Sequence, residues 1–190
     1  MLINKFKEFL ILSAKLRQEY PASLGVKSAN WLEILSKIDT NVPELYNVIY
    51  SSVSGTQRDI TNQTLMDFIP GYRLIHIEEL FKEKQSLDSV LSYYDNIDGL
   101  TILPVLANYS SDFICYCRDQ RGIENICRVN HDDDLIILHK SPEKFLETIC
   151  EFYKQGVFFL EGDGYLDYDM EKEGQIGLLF NPGVAYWFGE

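Results

Sequence analysis

The chain has 190 residues, a length that suits one domain with a proper core. Its apolar share of 46% is ordinary for a globular protein, and twelve Tyr with eleven Phe argue against disorder. A formal charge of −12, from 17 basic against 29 acidic residues, disfavours nucleic acid and anionic lipid as partners, because both need a basic surface; plain solubility or a basic protein partner remains.

The N-terminal segment reads as a helix over residues 2–20. Leu2, Phe6, Phe9, Leu10, Leu16 and Tyr20 recur at roughly helical spacing, and Pro21 is expected to end the run. The apolar stretch Phe9–Leu12 is too short for a signal peptide, and Lys5, Lys7 and Glu8 precede it within the helical pattern. No apolar run approaches the roughly 20 residues that span a bilayer. The expected location is therefore the cytoplasm. Cys115, Cys117, Cys127 and Cys150, at no zinc-like spacing, fit a reducing compartment.

After a linker over Ala22–Ala29, Asn30-Trp-Leu-Glu33 has the form of a capping box, and Trp31, Ile34, Leu35 and Ile38 share a face. Asn41-Val-Pro-Glu44 repeats the start signal ahead of Leu45, Val48, Ile49 and Val53, and Ser54-Gly55 stops that helix. Thr56–Thr64 reads as polar loop. A turn at Pro70-Gly71 opens a short strand ending at His76. A helix from about Ile77 to Tyr94 follows, with Leu80, Phe81, Leu87, Val90, Leu91 and Tyr94 expected inward.

A dense block from Ile102 to Gly156 comes next. Ile102-Leu-Pro-Val-Leu-Ala, Asp112-Phe-Ile-Cys-Tyr-Cys, Ile123-Glu-Asn-Ile-Cys-Arg-Val and Leu135-Ile-Ile-Leu read as strands. Their β-branched and aromatic residues alternate poorly with polar ones, which predicts burial on much of both faces. Ser141-Pro-Glu is a strong helix start, with a hydroxyl cap, Pro at the first position and an acid in the first turn. Phe145, Ile149, Phe152 and Tyr153 form its apolar stripe, and Gly156 ends it. In the tail, Val157–Leu160 and Gln175–Phe188 read as strands around an acidic run, Glu161–Glu173. The order of elements predicts an α+β fold with a mostly antiparallel twisted sheet packed by helices, in one domain over residues 1–190.

Three pieces of this chain resemble the SUKH superfamily, which includes fungal cell-wall-assembly regulators and many bacterial immunity proteins. They are Val42-Pro-Glu-Leu-Tyr-Asn-Val-Ile-Tyr with Val53-Ser-Gly-Thr; Phe68-Ile-Pro-Gly-Tyr-Arg-Leu with Ile77-Glu-Glu-Leu; and Leu103-Pro-Val, Asp112-Phe-Ile-Cys-Tyr and Ser141-Pro-Glu-Lys-Phe-Leu-Glu. The resemblance covers about residues 31–156 and leaves out the N-terminal helix and the tail, expected as an acidic strand extension over 157–190. Family members often carry Gly-Asp before the hairpin strand, where this chain has Ser110-Ser111-Asp112. What the resemblance implies is a binding protein without catalysis or cofactor, an immunity factor for a cognate toxin that is often a nuclease. The alternatives are a regulatory or scaffolding adaptor of the same fold and, more remotely, a Cys–His hydrolase.

The residues expected to meet a basic partner are acids and their aromatic neighbours. Asp112 keeps the acid of the family pattern, with a strand-start cap as its bland reading. Asp132, Asp133 and Asp134 form a knob between two strands, or a solvated loop with an Asx turn. Glu161, Asp163, Asp167 and Asp169, interleaved with Tyr165 and Tyr168, suit an interface with aromatic anchors; the run lacks the order of an EF-hand, so no metal is expected. Cys115 and Cys117 share a strand face, while a two-residue turn at Gln120-Arg121 would put Cys127 on the other face and a bulged turn would reverse that.

Overall fold

The computed structural model describes residues 1–57, 59–95, 97–130 and 134–188. Helix α1 (Leu2–Leu16) buries Leu2, Phe6, Phe9 and Ser13, a spacing of three and four that keeps one face inward. It stops before the Pro21 expected to end it. Arg17 leaves the helix at φ −135°, and Pro21 instead sits in the first turn of a short helix, α2 (Tyr20–Ser23). A first turn leaves its N–H groups unbonded anyway, so proline is tolerated there.

Helices α3 (Trp31–Ile38) and α4 (Glu44–Tyr50) lie where expected, but their predicted caps do not form. Asn30 accepts from the Ser28 hydroxyl, Glu33 pairs with Lys37, and Pro43 rather than Asn41 holds the cap position of α4. A 3-10 turn at Ile77–Glu79 leads into α5 (Leu80–Leu91). The buried face of α5 is Leu80, Glu83, Leu87, Val90 and Leu91, which leaves Phe81 55% exposed, contrary to expectation. Glu83 lies inward because Arg73 meets it at 2.8 Å.

Strands β1 (Arg73–Leu74), β2 (Thr101–Ala107), β3 (Phe113–Arg118), β4 (Glu124–Val129) and β5 (Ile136–His139) pair antiparallel in chain order as a five-stranded sheet. Arg73, Phe113, Cys115 and Cys127 share one face by register, the face on which Glu83 of α5 meets Arg73. The opposite face carries Ile114, Tyr116 and Ile126. Tyr46 of α4 packs edge-on to Tyr116, and helix α6 (Pro142–Lys154) lies against β4 and β5. Helices on both faces explain why β2 and β3 read as unbroken apolar runs rather than alternating ones.

The β3–β4 connection decides the cysteine geometry. Asp119 N–H donates to Ile123 C=O and Gly122 adopts φ 83°, so the loop has three residues, Gln120–Gly122, rather than two. That extra residue sets Cys115 opposite Cys127 and Cys117 opposite Asn125, so all three thiols share the α5 face.

Helix α6 begins as the sequence dictates, with the Ser141 hydroxyl accepting from Lys144 N–H and Pro142 at the first position. Strands β6 (Phe158–Leu160) and β7 (Leu166–Tyr168) then form a small hairpin. The strand expected over Gln175–Phe188 is not formed. Residues Met170–Phe180 are helix α7 and Ala185–Phe188 a 3-10 turn, so the tail is a hairpin followed by helix rather than a strand extension. Asp169 caps α7 by accepting from Lys172 N–H, and Gly177 lies against the Trp187 ring. The whole is an α+β fold built on an antiparallel sheet. Among the described residues no helix is long and apolar enough to cross a membrane.

Candidate functional site

An antiparallel meander returns alternate loops to the same end of its sheet. The β2–β3 loop, with Asp112 at its close, and the approach to β5, with Asp134, therefore lie at one end. Asp112 is half-buried. Its carboxylate accepts from the Asn108 side-chain amide at 2.8 Å, and Asn108 Oδ1 accepts the N–H groups of Ser110 and Asp112. These bonds close the turn, which matches the strand-start role. Asp134 is exposed. Asp132 and Asp133, with His131, lie outside the described residues.

The β6–β7 hairpin separates its side chains by parity. Phe158, Leu160, Leu166 and Tyr168 point to one face, where Phe158 and Leu166 are buried. Phe159, Glu161, Tyr165 and Asp167 point to the other, where Phe159 is 41% and Tyr165 39% exposed. Asp163 holds the tip, accepting from Tyr165 N–H at 3.2 Å as an Asx turn does. Three of the expected residues thus share an outward face, while Tyr168 faces inward and Asp169 is committed to capping α7.

Acids crowd on this hairpin. Asp167 and then Asp163 raise the pKa of the Glu161 carboxyl, because like charges close together disfavour ionising both. Glu161, Asp163 and Asp167 make no ion pair with any described residue. Tyr109 of the β2–β3 loop carries no signal in the sequence that would place it here. It is 41% exposed, and its hydroxyl pKa is pushed up to about 12 by desolvation first, with Tyr165 among the contributors.

The remaining polar residues are packed. Cys115, Cys117, Cys127 and Cys150 are all buried, and the Cys117 thiol is pushed up by Cys127 and by burial. A thiol so placed is held away from the reactive thiolate. His139, the nearest imidazole candidate, sits between Phe145 and Trp187, and desolvation lowers its pKa to about 3. No cysteine lines the cavity that His139 lines. Among the described residues no group of three or more His, Cys, Asp or Glu side chains is placed to hold a metal ion.

Comparison with known protein families and with curated proteins finds no match for this chain.

Proposed function

We propose that this protein binds another protein rather than catalysing a reaction, as a SUKH-like cytoplasmic immunity factor that neutralises a cognate bacterial toxin by stoichiometric occlusion. What carries the reading is the outward face of the β6–β7 hairpin, where the carboxylates of Glu161 and Asp167, which make no ion pair with a described residue, flank the exposed rings of Phe159 and Tyr165. Exposed aromatic anchors beside repelling like charges are costly to leave in water and gain from a cationic partner. A nuclease toxin, which must attract phosphate, would offer such a surface. The net charge of −12 adds long-range attraction.

The test is to sequence the gene next to this one, co-express its product with this chain, and titrate the purified pair. The expected result is protection of the cell and a one-to-one complex. The combined variant Glu161→Gln, Asp163→Asn and Asp167→Asn should weaken that complex by about tenfold or more, as expected for rim and core charges together. A chain that neither binds the toxin nor protects the cell would refute the reading.

A further inference from the structure

A partly enclosed cavity of about 140 Å³ lies between the sheet and the C-terminal elements. Its apolar part includes Ile114 of β3, Leu138 of β5 and Ile149 of α6. Aromatic rings surround the rest: Tyr72 beside β1, Tyr168 of β7, and Tyr186 with Trp187 from the last 3-10 turn. An apolar cavity of roughly 150 Å³ is large enough for benzene, so one aromatic ring fits here.

Two polar groups in the lining lack partners. His139 is 5% exposed, and its Nδ1 has no hydrogen-bond partner among the described residues. Glu173, in the first turn of α7, makes no hydrogen bond or ion pair with any described residue through its carboxyl group. His139 Nδ1 is a buried polar atom without a partner, which is rare in a folded protein, and Glu173 is half-buried; together they invite a ligand. Arg128 also lines the cavity, with its guanidinium 5.5 Å from the Tyr186 ring centre, yet it forms no ion pair with Glu173.

We propose that this cavity binds a small organic cation carrying one aromatic ring, an arylalkyl primary amine about the size of benzylamine. The ring packs among Trp187 and the α6 side chains, and the ammonium meets Glu173. The faces of Tyr168 and Tyr186 attract the positive charge through their quadrupoles. An ammonium brings three donors and no acceptor, which suits the Glu173 carboxylate. An anion would be repelled by the Glu173 carboxylate, and a neutral ring would offer it no opposite charge. The inference is independent of any protein partner.

The site should also depend on pH. Burial lifts the Glu173 carboxyl from 4.5 to about 7. The titratable and charged groups that share the lining with it are Arg128 from β4, His139 from β5, Tyr72 beside β1, Tyr168 from β7 and Tyr186 from the 3-10 turn. A guanidinium keeps its charge throughout. Desolvation holds His139 at about 3 and raises Tyr72, Tyr168 and Tyr186, so none of these changes charge between roughly pH 6 and 8. Glu173 is the lining group that does, and amine binding should strengthen as it ionises.

The chain's two tryptophans make the test direct, because Trp187 lines the cavity and Trp31 does not. Benzylamine, benzyl alcohol and benzoate are titrated separately into the full chain while the two indole N–H resonances are followed by NMR. Benzylamine should shift Trp187, leave Trp31 unmoved, and bind about tenfold or more tightly than benzyl alcohol, with benzoate weakest. Its affinity should fall about tenfold from pH 8 to pH 6, the drop in ionised fraction for a group titrating near 7. Glu173→Gln should erase both the amine preference and the pH dependence while benzyl alcohol still binds. The wild-type pH profile decides the matter even if that variant folds poorly. Equal binding of amine and alcohol, or tightest binding of benzoate on Arg128, would overturn the proposal. So would the absence of a saturable Trp187 shift up to about 5 mM with every probe.

Discussion

Arg17 is 2% exposed, and its charge is held by what surrounds it. One guanidinium nitrogen donates to the Asp67 carbonyl at 2.6 Å and to Thr64 C=O at 3.3 Å, and another donates to the Tyr153 hydroxyl at 2.5 Å. The guanidinium carbon lies 3.8 Å from the Tyr20 ring centre. It thereby joins α1, the loop before β1, and α6. Replacing it by Leu would keep bulk but strand the Asp67 carbonyl and the Tyr153 hydroxyl, each costing about 1–3 kcal/mol when buried without a partner. Arg17→Leu should lose about 3 kcal/mol of stability, measured as a lower urea midpoint at unchanged slope. A loss below about 0.5 kcal/mol would mean that water reaches these groups. Nothing in the sequence marks Arg17 as buried. Arginine is rarely so, and its partners lie about fifty and more than a hundred residues away.

At the scale of elements, helix α7 separates two effects of the same substitution. Gly174 and Gly177 both lie within it, and exchanging Gly for Ala in a helix normally gains about 1 kcal/mol. A Cβ at Gly174 would meet nothing within 4 Å, whereas one at Gly177 would fall 2.1 Å from the Trp187 ring. Trp187 cannot easily retreat, because its indole N–H donates to Leu138 C=O at 2.6 Å. Gly174→Ala should therefore stabilise by up to about 1 kcal/mol and Gly177→Ala destabilise by about 1–2 kcal/mol, as overpacking does. Chemical denaturation of the two variants side by side gives the comparison. The same glycines explain the misread tail. Gly174 and Gly177 break the helical pattern, and Ile176-Gly-Leu-Leu-Phe then looks like a short buried strand. What makes it helix is the Asp169 cap and a tryptophan ten residues further on, and only the first is local. By contrast the strands of the central block and the start of α6 were legible, because Ser141-Pro142 and the β-branched runs act through their neighbours in sequence. The cysteine parity was open for a similar reason: one residue in the Gln120–Gly122 loop decides it. The acidic hairpin could be seen as acids and tyrosines in a row, but which of them face outward depends on the register of β6 with β7. The cavity was invisible, since its walls come from segments between Ile69 and Trp187.

For the whole molecule, the charge and its placement make a kinetic statement. The formal charge is −12, with Asp112 and Asp134 at one end of the sheet and Glu161 and Asp167 on the outward face of the hairpin. A basic partner is then drawn in before any contact forms, and the attraction acts over about a Debye length, roughly 10 Å at 0.1 M salt. Raising salt shortens that reach and leaves the packed aromatic contacts untouched. Association with the partner proposed above should therefore slow by about tenfold or more between roughly 50 and 500 mM salt, while dissociation changes by less than about threefold. Stopped-flow measurement of both rates across that range gives the answer. If the loss of affinity instead came from faster dissociation, the acids would be holding the complex together through direct pairs at the contact. If neither rate moved, the charge would serve solubility alone, and Phe159 and Tyr165 would have to supply the binding without electrostatic guidance.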